Sequence, residues 1–280
     1  MNELTANPLF QSGILPFIVA LITAFALRPL GWRWAGLGFA VAFAAALHFI
    51  TGFQITPFTS TRKIILLTGG AVALGLLFDI LDKYKRYIPV VVVLLAAAAA
   101  TWLSWPIIKR VEGEELWITL AISLGYSVWL IGWTESLKGQ SHQAAASALA
   151  LGVGTSISAV LGASALYGQL GGTIAAASAA FVLLLLIKQP LILGSNFTLP
   201  VATASALIGV GGVHYAGLTE YALIPLALIP LFARIPVKHD WPSSLKTIVL
   251  CLYTMHLAGA AIAITWVMTA STGDTASYGY

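Results

Sequence analysis

The stretch GVGTSISAVLGASALYGQLGGTIAAASAAF, residues 152–181, is apolar enough to lie in a lipid bilayer, yet small residues fill most of it. Apolar lipid gives no hydrophobic drive for helices to associate, so small side chains that permit close backbone approach are typical of helix pairs in membranes. The stretch also carries hydroxyl groups, which are able to line a polar path. Two interpretations therefore stay open: close helix packing, or a path through a membrane.

Helical spacing places the small residues on one stripe of each of two consecutive spans. The first stripe consists of Gly152, Ser156, Ala159 and Ala163, and the second of Gly168, Gly172, Ala175 and Ala179. Both follow the small-xxx-small pattern of tightly packed membrane helices. We expect a tight hairpin joined at residues 164–169, in which Thr155 and Ser156 are candidates for a substrate path.

The composition of the whole chain extends this interpretation. Of 280 residues, 59% are hydrophobic and 9% are charged, whereas soluble domains contain about 25% charged residues. Apolar runs long enough to cross a hydrocarbon core recur from Phe10 to Ala270. The sequence therefore predicts an all-α, polytopic integral membrane bundle that forms a single transmembrane domain over residues 1–280, without a soluble domain.

About ten transmembrane helices are expected from these runs. They lie near residues 10–29, 31–51, 63–82, 87–108, 115–135, 143–164, 166–187, 196–215, 219–235 and 245–269. Ten spans divide as five plus five, in halves 1–138 and 139–280, and an odd number per half is typical of an inverted repeat. The similar stretches YIPVVVVLL (87–95) and YALIPLALI (221–229) reflect either such a repeat or chance.

Orientation follows from the loops that carry Lys and Arg. With the N-terminus outside, the inner loops hold Arg28, Arg33, Lys83, Lys85, Arg86, Lys138, Lys188, Arg234, Lys238 and Lys246. The outer loops hold Arg62, Lys63, Lys109 and Arg110. This bias predicts a bacterial-type cytoplasmic (inner) membrane protein with both termini on the non-cytoplasmic side. The start of the chain lacks a basic n-region, so we expect the first span to be retained as a helix.

A second informative stretch is KQPLILGSNFTLPVATASALIGVGGVHYAG, residues 188–217. Gly-Ser-Asn at 194–196, Pro200 and GVGG at 209–212 favour a broken helix, whose freed backbone groups lie inside a bundle or along a cavity. The alternative is an ordinary loop at 194–196 followed by a first-turn proline. The candidates for a polar site in this stretch are Asn196, Thr198, Thr203 and Ser205.

Ionisable residues are scarce, and those inside a membrane are functional hypotheses. Asp79 and Glu135 are expected near the cytoplasmic interface, where they pair with basic neighbours. His256 is expected near mid-membrane, with Tyr253 three residues earlier on the same face. Together these two side chains form either a proton-sensitive gate or a substrate contact. The alternative is that His256 is a neutral imidazole hydrogen-bonded to a neighbouring helix.

These observations favour a permease-like or channel-like membrane protein for a small neutral or weakly charged solute. The alternative is a noncatalytic membrane subunit that packs against other proteins or a second copy of itself, and a third class is a lipid-processing enzyme that uses Asp79, Glu135 or a histidine. The common catalytic and phosphate-binding motifs are missing from the sequence, and its histidines show no chelating spacing. We therefore expect no enzyme activity, cofactor, metal or nucleic-acid partner.

Overall fold

The chain folds as a bundle of helices. The computed structural model describes residues 7–52, 56–81, 86–162, 164–238 and 240–276, with side chains in the last range described as far as Ser271. Every regular element within these ranges is helical. In chain order the helices are α1 Phe10–Ala26, α2 Trp32–Ile50, α3 Ser60–Ile80, α4 Ile88–Ile108, α5 Gly113–Glu135, α6 Ser141–Leu161, α7 Ala165–Leu186, α8 Ser195–Tyr215, α9 Glu220–Phe232 and α10 Ser243–Ala276.

The lengths of these helices indicate a helical membrane protein. Within the described ranges, 8 helices are long and apolar enough to cross a membrane, whereas α1 and α9 are shorter. Each predicted span coincides with one helix. However, α9 joins a 3-residue and a 10-residue segment and covers about 20 Å at 1.5 Å per residue. The total of ten membrane crossings therefore stays a prediction.

The connections between helices collect at two ends of the bundle. At one end, which we call the Glu135 end, the Asn196 amide donates to the Arg33 carbonyl over 3.0 Å. At the opposite end, the Tyr167 hydroxyl donates to Ser60 Oγ over 2.9 Å. The described basic residues predicted to be cytoplasmic lie in the connections at the Glu135 end or in the first turn of the helix that follows, while Lys83 and Lys85 lie outside the described residues. Which end faces the cytoplasm stays a prediction.

Helices that are neighbours in sequence pack together: α1 on α2, α4 on α5, α6 on α7 and α9 on α10. Across the two halves of the chain, α3 packs closely on α8. An inverted repeat would produce these pairings, but neighbouring helices of any antiparallel bundle pair in the same way. The repeat therefore stays a prediction.

The hairpin of α6 and α7 is held by small residues. A Cβ atom added at Gly152 would overlap the backbone of Ala175, and the Ser156 hydroxyl donates to the Gly168 carbonyl over 2.7 Å. Gly171, rather than the predicted Gly172, packs against Ser156, because Gly172 is turned toward Ser12 at the start of α1. The predicted stripe member Ala163 lies outside the described residues. Packing therefore accounts for most of the stretch 152–181.

Helix α8 lies at the centre of the bundle. In its most apolar stretch 89% of the residues are buried, against at most 67% in the other long helices. It contacts α3, α4, α5, α6 and α7. A helix buried on all sides cannot satisfy its terminal N–H groups with water, so the surrounding helices must supply acceptors.

We predict that Gly152→Ala lowers the stability of the folded protein, because the new methyl group must displace the α7 backbone. Overpacking of this kind costs about 1–3 kcal/mol. The change is measured as the midpoint of thermal unfolding of the purified protein in detergent. Gly69→Ala on α3 is the matched control, because a Cβ atom there meets open space. Equal midpoints for the two variants would contradict the close approach of α6 and α7.

Candidate functional site at the N-terminus of α8

Residues 194–196 form the N-terminus of α8 and not the helix break that the sequence predicted. Gly194 is extended and forms the N-cap, and an uninterrupted helix runs from Ser195 to Tyr215. Pro200 lies inside this helix rather than in its first turn, and residues 209–212 are helical. Both sequence alternatives are therefore wrong in detail, because the stretch is a loop that ends in a helix N-terminus deep in protein.

Asp79, from the C-terminal end of α3, caps this N-terminus. Its Oδ1 accepts a hydrogen bond from the Ser195 N–H, and its Oδ2 accepts one from the Asn196 N–H, both over 2.9 Å. The next two N–H groups, of Phe197 and Thr198, donate to the Gly194 carbonyl over 3.1 Å. The exposed N–H groups at a helix start carry partial positive charge, so a carboxylate is the favoured partner there.

Glycines create the space for this contact. A Cβ atom at Gly75 of α3 would overlap the Ser195 carbonyl, and one at Gly194 would lie 2.6 Å from Asp79 Oδ2. A Cβ atom at Gly36 would overlap the Asn196 side chain. The close approach of α2 and α3 to the start of α8 therefore depends on three missing side chains.

Glu135, the last residue of α5, supplies a second carboxylate. Its Oε1 accepts from the Ser195 hydroxyl and its Oε2 accepts from the Thr198 hydroxyl, each over 2.5 Å. Lys138 Nζ lies 3.2 Å from Oε1, so the predicted pairing with a basic neighbour is present. Glu135 is 5% exposed. A buried carboxylate keeps its charge only with such partners, which here are two hydroxyls and one ammonium.

Together, Asp79, Glu135, Ser195, Asn196 and Thr198 form what we call the α8 N-terminal cluster. Its two acids converge, as the enzyme alternative requires. However, both oxygens of each carboxylate accept hydrogen bonds from α8, which is the geometry of an anchor. Within the described ranges, no group of three His, Cys, Asp or Glu side chains is arranged to hold a metal ion.

The predicted site residues fall into four separate places. Asn196 and Thr198 join the α8 N-terminal cluster, while Thr203 and Ser205 lie further along α8, both buried. Thr155 and Ser156 belong to the hairpin of α6 and α7. Tyr253 and His256 lie on the exposed side of α10. The structure therefore does not gather the eight candidates into one site.

Sequence reasoning missed the part played by α5, which runs antiparallel to α8. Glu135 meets Thr198 at one end, and Ser123 Oγ lies 2.8 Å from His214 Nε2 at the other. Between these points a Cβ atom at Gly209 would lie 3.1 Å from the Tyr126 hydroxyl. Residues 121–126 of α5 form a π-helical segment, a feature frequent at functional sites.

Several hydroxyls between these two contact points are buried and unpaired. Among the described residues, no hydrogen-bond partner is found for the side-chain oxygens of Tyr126, Ser127, Thr134 and Ser205. Ser127 and Thr134 are seven residues apart on α5, two helical turns, and so share one face. Buried unpaired hydroxyls are uncommon and call for an explanation such as water or a ligand. Buried unpaired hydroxyls therefore occur on both helices of the α5–α8 pair, whose contact we call the α5–α8 interface.

A cavity lies beside this interface, between α3, α4, α5 and α8. Its volume is about 170 Å³, and one of its 13 lining residues, Thr203, is polar. Ile131 of α5 and Leu199 of α8 form its inner wall, while Gly70 of α3 and Trp102 of α4 belong to the exposed surface. The cavity therefore connects the outer face of α3 and α4 with the central helix.

Comparison with known proteins leaves the fold and the site to be interpreted from their own chemistry. No protein-family model and no curated protein matches this sequence.

We predict that Asp79→Ala destabilises the protein by about 2 kcal/mol, because it leaves two buried N–H groups without acceptors. The thermal unfolding midpoint of the purified variant is the measurement. Glu115→Ala, which removes an exposed acid on α5, is the control and is expected to unfold close to the wild-type temperature. If both variants unfold together, the Asp79 carboxylate does not hold α8.

Proposed function

We propose that the protein is a permease-like membrane protein that passes a small, neutral, largely apolar solute alongside α8. The observation that carries the proposal is the cavity at Thr203. It reaches the most buried helix of the bundle, and buried unpaired hydroxyls occur on both α5 and α8. Neither feature stabilises a bundle, because a cavity loses packing contacts and an unpaired buried hydroxyl loses hydrogen bonds.

The lining of the cavity supports this class of solute. One hydroxyl among apolar walls suits a molecule with a single polar group, whereas an ion would find no compensating charge there. The volume of about 170 Å³ is below the range of about 300–1,000 Å³ typical of drug-sized ligands. The solute is therefore expected to contain few non-hydrogen atoms.

Opening of a path would involve the contacts that hold the two ends of α8. At one end, Asp79 and Glu135 hold the helix through its N–H groups and hydroxyls. At the other, the π-helical segment of α5 meets α8 through Ser123 and His214. A shift of α5 against α8 would expose the unpaired hydroxyls to water and join them to the cavity. A π-helical segment inside an α-helix is frequent at functional sites.

We predict that Thr203→Cys, in a Cys251→Ala background, reacts in liposomes with N-ethylmaleimide, a small neutral thiol reagent. Water that enters the path during opening would carry the reagent to the new thiol. Ala148→Cys, in the buried part of α6, is the control for a dry interior, and Lys188→Cys in a loop is the control for reagent activity. Failure of Thr203→Cys to react from either side, while Lys188→Cys reacts, would overturn the proposal.

Two neighbouring glycines make this test specific to the cavity. Gly70 lines the cavity and Gly69 does not, yet a Cβ atom meets open space at both positions. Gly70→Leu is therefore expected to slow labelling of Thr203→Cys by at least tenfold, because its side chain fills the cavity. Gly69→Leu is expected to leave the labelling rate unchanged. Equal rates in both variants would mean that the reagent reaches Thr203 by another route.

The alternative function, a noncatalytic membrane subunit, is favoured by a different observation. The exposed side of α10 carries the polar side chains of Tyr253 and His256 near the middle of a segment long and apolar enough to cross a membrane. Such a surface indicates a protein contact and does not depend on whether α8 lines a path.

A further inference from the structure

One side of α10 is turned away from the rest of the bundle. Exposed residues recur along it at spacings of three and four, which is one face of a helix. We call this the α10 outer face, and it comprises Leu252, Tyr253, His256, Gly259, Ala263 and Val267. In the described part of the chain, nothing packs over it. The opposite side, which includes Thr254 and Ala258, is buried against α6 and α9.

His256 makes this face unusual for a lipid-exposed surface. It lies 13 residues after Ser243, or about 20 Å at 1.5 Å per residue, within a segment of 29 residues that is long and apolar enough to cross a membrane. This position is close to the middle of the segment. Ionisable side chains at that depth almost always face protein or a water-filled cavity, because hydrocarbon offers them no hydrogen bonds. A protein surface is therefore the expected neighbour of His256.

The hydrogen bond that His256 makes determines whether its other ring nitrogen is a donor or an acceptor. Its Nδ1 lies 2.6 Å from the Leu252 carbonyl, and a carbonyl oxygen only accepts, so Nδ1 carries the proton. In the neutral imidazole, Nε2 is then an acceptor. Tyr253, three residues earlier and 40% exposed, offers a hydroxyl donor beside it. The outer face thus carries one donor and one acceptor.

Gly259 and Ala263 provide the close approach that such hydrogen bonds need. They are four residues apart, which is the small-xxx-small spacing of membrane helix dimers. Within the protein, a Cβ atom at Gly259 would meet nothing within 4 Å. The glycines at positions 152, 168 and 171 instead fit closely against neighbouring backbone or side-chain atoms. Packing inside the bundle therefore gives no reason for a glycine at 259.

We propose that the α10 outer face is a dimer interface and that its partner is a second copy of this chain. The chemistry of the face is complementary to itself. In a two-fold arrangement, the Tyr253 hydroxyl of one copy donates to His256 Nε2 of the other, and symmetry repeats the bond. The small residues at 259 and 263 meet their own equivalents, which brings the two backbones together. A single interface thus gives both polar groups a hydrogen-bond partner and accounts for the glycine at position 259.

The first test is disulfide cross-linking of Gly259→Cys, in a Cys251→Ala background, in liposomes treated with copper phenanthroline. A covalent dimer is expected in most of the protein. Leu94→Cys on α4, a lipid-facing position that is 64% exposed, is the matched control and is expected to stay monomeric. If the two variants cross-link to the same extent, collisions in the bilayer explain the dimer and the proposal fails.

The second test does not rely on an engineered thiol. Energy transfer between labelled copies in liposomes is expected for the wild type and is expected to fall at least fivefold in Gly259→Leu. The added side chain enters open space, so the fold of the single chain is preserved. Gly69→Leu on α3 is the control with the same change at another open, exposed glycine, and it should dimerise as the wild type does.

Tyr253→Phe separates the hydrogen bonds from the packing, because it keeps the ring and removes only the donor. Partial loss of energy transfer is expected. A wild-type protein that stays monomeric at every protein-to-lipid ratio would overturn the proposal and would leave a different membrane protein as the occupant of the face. Since Tyr253 and Gly259 belong to α10, which does not line the cavity, failure of these tests would not bear on solute passage.

Discussion

The fold depends on one contact between distant parts of the chain, the Asp79 carboxylate at the N-terminus of α8. A helix buried on every side has four N–H groups at its start that water cannot reach. Asp79 accepts two of these hydrogen bonds and the Gly194 carbonyl accepts the other two. Without an acceptor from α3, two buried N–H donors at the start of α8 would be unsatisfied, which would lower the free energy of unfolding.

Close contacts between helix backbones decide where small residues are needed. Gly75 and Gly36 lie where α3 and α2 meet the start of α8, and Gly152 and Gly171 lie where α6 meets α7. In these places the missing side chain permits backbone contact, which is the main source of helix association in lipid. Gly70 and Gly259 differ because they border open space. The same residue type therefore marks packing in one place, and a cavity or an uncovered face in another.

The sequence was sufficient to place the helices, because apolar runs of about twenty residues are a direct consequence of bilayer thickness. It also predicted the hairpin of α6 and α7 from small-residue spacing. It failed to predict the capping of α8, because Asp79 and Ser195 are separated by 116 positions and nothing local to either residue reveals their contact. The outward position of Tyr253 and His256 was missed because apolar residues occur on every side of α10, so the sequence does not distinguish its packed face from its exposed face.

Solute passage alongside α8 is tested most directly by the flux itself. Stopped-flow light scattering would follow the swelling of protein-containing liposomes in acetamide, propionamide or butyramide, each of which carries a single polar group. Entry of at least one of these solutes is expected to be faster than in protein-free liposomes, and to return toward the protein-free rate in Gly70→Leu but not in Gly69→Leu. Rates that match protein-free liposomes for all three solutes would contradict solute passage alongside α8.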